Sequence, residues 1–73
     1  MDQDNDPVRD GLARIEAVMG ERTRCCHWTA NTYRWGGTFG AVVRGGEDQI
    51  QSGGHATPEH AVASLARILG VDL

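Results

Sequence analysis

Three glycine pairs, Gly36-Gly37, Gly45-Gly46 and Gly53-Gly54, cut the second half of this chain into pieces of strand length. Glycine adopts the positive φ angles that tight hairpin turns demand, so such spacing points to short antiparallel strands joined by hairpins. A capped helix follows at once: Thr57 is an N-cap, Pro58 suits the first helical position and Glu59 complements the helix dipole. The same device recurs upstream, where Asp6 precedes Pro7. Val8, Leu12, Ile15 and Met19 then repeat at helical spacing, and Gly20 offers a stop. Glycine at position 11 weakens that helix by roughly 1 kcal/mol relative to alanine.

The order is therefore α-β-β-β-α. Both apolar helix stripes must be buried, and the simplest arrangement lays both helices on one face of a three-stranded antiparallel sheet. That is a two-layer α+β domain. Residues 1–5 read as a disordered acidic lead and residues 6–73 as a single domain. On the last helix, Ala61, Val62, Leu65, Ile68 and Leu69 form the expected buried side, with Ala63 and Ala66 at its margins.

The first strand, Cys26 to Trp35, is aromatic and β-branched but alternates poorly, so its register must come from the turns. A three-residue loop Gly36-Gly37-Thr38 pairs Trp35 with Phe39, Tyr33 with Ala41 and Asn31 with Val43. A two-residue turn Gly45-Gly46 pairs Val43 with Asp48 and Ala41 with Ile50. Tyr33, Trp35, Phe39, Ala41, Val43 and Ile50 then share the covered face. The uncovered face carries Trp28, Ala30, Thr32, Arg34, Val42, Arg44, Gln49 and Gln51. A two-residue first turn sets Arg34 opposite Phe39 instead, a less favourable pairing, and a shift of one residue moves Trp28 into the core.

With 73 residues the chain makes one small domain, which buries only about 60% of its unfolded surface. Net charge is −3, and all seven basic residues are arginine. This balance lacks the basic excess of a nucleic-acid binder. No apolar run approaches the roughly 20 residues of a membrane span. The start, Met1-Asp2-Gln3-Asp4-Asn5-Asp6, is too acidic for a signal peptide, so a cytoplasmic location is expected. Adjacent Cys25 and Cys26 suit reduced thiols better than a mutual disulfide.

From Phe39 to Leu69 the succession of strand, glycine turn, short strand and alanine-rich helix resembles the double-stranded-RNA-binding domain. The likeness in element order extends over nearly the whole chain. It implies the α-β-β-β-α topology. The family's lysine cluster at the start of its second helix is replaced by Thr57-Pro58-Glu59-His60, and its loop histidine by Gly36-Gly37-Thr38. The topology carries over and the RNA contacts do not. Val42 to Leu69 is also similar to the strand-to-helix join of HicB-type antitoxin domains, through Thr57-Pro58-Glu59-His60-Ala61-Val62.

No chemistry-bearing cluster stands out. Cys25, Cys26, His27, His55 and His60 lack the separated ligand pairs of zinc sites, so neither a metal nor another cofactor is expected. Cys26 and His27, adjacent on one strand, point to opposite faces, and no enzymatic activity is expected. The sequence instead favours a binding surface. An uncovered tryptophan beside arginines has the composition of an interaction hot spot. The candidate partner-binding residues are Trp28, Arg34, Arg44, Gln49 and Gln51, with Glu47 and Asp48 as acidic neighbours.

Small acidic α+β domains of this kind look like phage accessory proteins, anti-CRISPR inhibitors among them. The resemblance implies a protein partner, a nucleic-acid-processing complex, blocked sterically or by charge mimicry. The alternatives are a nucleic-acid-binding module using Arg22, Arg24, Arg34 and Arg44, an antitoxin-like domain, or a homodimer through the edge of the strand Asp48 to Ser52.

Overall fold

A computed structural model of the chain describes residues 6–24 and 27–73. The acidic lead, Met1 to Asn5, and the two thiols, Cys25 and Cys26, lie outside the described residues. The elements are α1 (Pro7–Thr23), β1 (Trp28–Trp35), β2 (Thr38–Gly45), β3 (Asp48–His55) and α2 (Pro58–Leu69). The strands form one antiparallel sheet in the order β1-β2-β3. Both helices pack on the same face, α1 across β1 and α2 across β2 and β3. The molecule is 18 Å thick, the depth of two layers, so the described elements leave the other sheet face uncovered. No described helix is long and apolar enough to cross a membrane.

Both helices begin as their sequences dictate. The Asp6 carboxylate accepts from the Val8 and Arg9 amides at 3.1 and 3.3 Å, with Pro7 at the first helical position. Thr57 Oγ1 accepts from the His60 amide at 3.1 Å. Gly70, at φ +70°, ends α2, and the Val71 amide reaches back to the Ala66 carbonyl at 2.8 Å. That closure tucks Val71 into the core. Gly20, by contrast, does not stop α1. The helix runs a turn further because the Thr23 hydroxyl bonds the Met19 carbonyl at 2.9 Å and accepts the Trp28 indole N–H at 2.8 Å. Arg24 then closes it in the left-handed region, at φ 58°.

The first turn departs from expectation, and with it β1. Gly36 and Gly37 both have positive φ, +58° and +85°, forming a two-residue turn that matches the right-handed twist of its strands. Trp35 pairs with Thr38, Arg34 with Phe39, Thr32 with Ala41, Ala30 with Val43 and Trp28 with Gly45. The slip is one residue, which turns every β1 side chain over. Trp28 and Ala30 face the helices and are buried, whereas Tyr33 and Trp35 face outward.

The second turn is Gly46-Glu47, with Gly46 at φ +60°. Val43 therefore pairs with Ile50 and Ala41 with Ser52. That moves the partners by two residues and leaves the faces of β3 as expected. β3 is also longer than the expected Asp48 to Ser52. It passes through a bulge, where Gly53 and Gly54 stand opposite Gly40, and ends at His55.

The core joins Ile15 and Met19 of α1 to Ala61, Val62, Leu65 and Ala66 of α2, over Trp28, Ala30, Ala41 and Val43 of the sheet. Ile68, expected on the buried side, is 58% exposed, and Ala66 takes its place against the sheet. At Gly11 the helices cross so closely that a Cβ would lie 2.6 Å from Val62 Cγ1. This close crossing is why a residue that weakens α1 stands there.

Candidate functional site

The uncovered sheet face is the candidate site. β1 contributes Thr29, Asn31, Tyr33 and Trp35, β2 contributes Val42 and Arg44, and β3 contributes Gln49 and Gln51. Trp35 is 79% exposed, the most open large apolar side chain of the described residues. It sits at the hairpin end of β1. Arg44 is six residues along β2 from Thr38, the residue paired with Trp35, which places it roughly 20 Å away.

Tyr33 lies between them and is held in place by glycines. Its ring lies over Gly40, the cross-strand partner, where any Cβ would collide with it. A Cβ on Gly53 would come within 2.7 Å of its hydroxyl oxygen. The mirror arrangement occurs on the helix side, where the Trp28 indole covers Gly45. Each aromatic ring thus shields a bare glycine backbone, and the two rings point to opposite faces.

The candidate residues separate accordingly. Arg44, Gln49 and Gln51 are exposed on the open face. Glu47 occupies the β2–β3 turn and Asp48 opens β3, both exposed at the Arg44 end of the sheet. Trp28 does not belong to this surface. It is 6% exposed, packed in the core, and its indole is bonded to Thr23. Arg34 also lies on the other face, with its guanidinium carbon 5.8 Å from the centre of the Phe39 ring. The pairing of Arg34 with Phe39, expected to be unfavourable, is a cation–π contact.

Tyr33 and Trp35, expected inside, take the place of Trp28 outside. Adjacent glycines suit a two-residue hairpin turn as readily as the three-residue loop, so the sequence offered this register without selecting it.

The remaining arginines do not converge. Arg22 donates to the Leu69 carbonyl at 2.5 Å and to the Gly70 carbonyl at 3.4 Å, capping the C-terminus of α2 from the last turn of α1. Arg22, Arg34 and Arg44 are thus spent on a helix cap, an aromatic ring and the open face respectively.

Away from the open face, Ser52 Oγ lies 2.9 Å from His55 Nε2 and 2.7 Å from Ser64 Oγ. This polar clasp spans the bulge and ties β3 to α2. His27, His55 and His60 form no three-ligand metal group among the described residues. An open groove of about 620 Å³ runs between the helices, with Gly11 and Val62 in its floor and Asp10, Arg14 and Glu59 at its rim.

Comparison with known proteins adds no relative: no family model, curated protein or solved structure matches this chain.

Proposed function

We propose that this chain is a non-enzymatic protein-binding module that docks its partner on the open sheet face, as a small inhibitor or accessory protein of a nucleic-acid-processing complex would. The observation that carries this reading is Trp35, 79% exposed on a face that no other described element covers. A tryptophan has a large apolar surface to bury, and such residues dominate binding energy when they enter a partner's pocket. Tyr33 is pre-positioned over glycine backbone, so little side-chain freedom remains to be lost on binding. Arg44, Gln49 and Gln51 supply the polar rim, and Arg44 suits a partner carboxylate. The face carries a single arginine within a chain of net charge −3, which favours a protein over nucleic acid as the partner. Glu47 and Asp48, exposed at one end, suit a partner with a basic surface.

The test combines capture with variants. Tagged protein is cross-linked in cells beside Trp35→Ala, Arg44→Ala and Arg14→Ala, with folding of each checked by circular dichroism. The reading expects one captured protein, lost in the first two variants and retained in the third. Capture insensitive to Trp35→Ala overturns it. So does a salt-sensitive mobility shift with duplex or single-stranded nucleic acid that depends on Arg44, which would establish direct nucleic-acid binding instead.

A further inference from the structure

The two outer edges of the sheet are finished differently. On β1 the outward-pointing amide of Ala30 donates to the Glu16 carboxylate at 2.6 Å, so α1 covers that edge at Ala30. On β3 no described side chain bonds an outward-pointing backbone group. The two-residue turn makes Gly45 and Asp48 a hydrogen-bonded pair, and bonded pairs alternate along an antiparallel ladder. Val43–Ile50 and Ala41–Ser52 are therefore bonded, while Val42 and Arg44 bond to β1. The N–H and C=O groups of Gln49 and Gln51 point away from the sheet, and among the described residues they have no partner.

We infer that this edge pairs with the β3 edge of a second copy of the chain, antiparallel about a two-fold axis at Ile50, joining two sheets into one of six strands. Three features support a self-complementary edge. Between Asp48 and Ser52 the strand holds none of the proline, lysine or bulge that blunts natural edges; the bulge begins only at Gly53.

The register is also self-consistent. Between Asp48 and Ser52 the free backbone groups are those of Gln49 and Gln51, so a two-fold at Ile50 matches Gln49 of each copy with Gln51 of the other. Asp48 then faces Ser52, and the two Asp48 carboxylates stand four residues apart, about 14 Å.

An apolar seam lies beneath the edge. Ile50 is only half-buried, and Ile68 is 58% exposed. Ser64 is bonded to Ser52, and α2 runs back against β3. Ile68, one helical turn beyond Ser64, and Ile50, two residues before Ser52, therefore lie along the same flank, each about 6–7 Å from that contact. Pairing buries both against their copies, and it leaves Trp35 and the open face free.

Sedimentation and light scattering at concentrations up to about 1 mM test this, a range that reaches weak association. The expected mass is twice 7.9 kDa. Amide exchange at Gln49 and Gln51 should slow as concentration rises. Gln51→Pro removes only an outward N–H, and Ile68→Glu places like charges across the seam. Both should return the monomer with the circular dichroism of the wild type. Trp35→Ala should leave the dimer intact. A wild-type monomer throughout this range overturns the inference, as does unchanged exchange at Gln49 and Gln51. A dimer that survives both edge variants, or one dissociated by Trp35→Ala, overturns it as well. Because Trp35→Ala acts on the open face and Ile68→Glu on the α2 flank, loss of dimer and loss of the proposed docking are read separately.

Discussion

Gly11 shows how a residue's local and tertiary roles can conflict. Alanine is the better helix former by about 1 kcal/mol, yet its Cβ would lie 2.6 Å from the buried Val62. Overpacking of that kind costs about 1–3 kcal/mol, so Gly11→Ala should destabilise the protein by about 1 kcal/mol in denaturant titration. Adding Val62→Ala opens space and should return part of the loss as a measurable coupling in a double-mutant cycle.

Trp28 carries a different burden. Trp28→Ala removes a core ring and leaves Gly45 uncovered, and should cost about 3–5 kcal/mol. Trp28→Phe keeps an aromatic ring over the glycine but forfeits the bond to Thr23, and should cost less. Trp35→Ala should change stability by less than about 0.5 kcal/mol, because its ring has little to lose. Nothing in the composition distinguishes these two tryptophans. They are seven residues apart, an odd spacing, so a strand must send them to opposite faces, and which one is buried depends on the register.

Among the elements, the β1–β2 hairpin decides that register. Its turn requires positive φ at both Gly36 and Gly37. Gly36→Asn should be tolerated, since Asn-Gly suits this turn, whereas Gly37→Val should lower the melting temperature by several degrees through strain of about 1–2 kcal/mol. Thermal unfolding followed by circular dichroism checks both. Equal tolerance at the two positions would contradict a two-residue turn.

The helix ends are coupled as well as the strands. Arg22 caps α2 from α1, and Arg22→Ala should cost about 1 kcal/mol by freeing the Leu69 and Gly70 carbonyls. The starts of both helices were legible because N-caps and prolines act within four residues. The end of α1 was not, because the Thr23–Trp28 bond that extends it past Gly20 comes from a different element.

At the scale of the whole molecule, the two described layers leave one sheet face and the β3 edge without cover among the described residues, and the two tryptophans report on the face directly. Trp35→Phe should leave a blue-shifted emission resistant to acrylamide, from the buried Trp28. Trp28→Phe should leave a red-shifted, readily quenched emission from Trp35. Comparable quenching of the two variants would contradict the face assignment.

The element order, the two helix starts, the glycine stop at Gly70 and the presence of hairpins follow from the sequence alone, because each depends on backbone preferences and hydrogen bonds within a few residues. The faces of β2 and β3 follow too, since Ala41, Val43 and Ile50 alternate cleanly. The face of β1 was decided only in the tertiary structure. Its alternation is blurred, and a single-residue slip exchanges Trp28 for Trp35. The packing of Trp28 on Gly45 and Thr23, and of Ala30 beneath Glu16, selects between two registers that local preferences leave open.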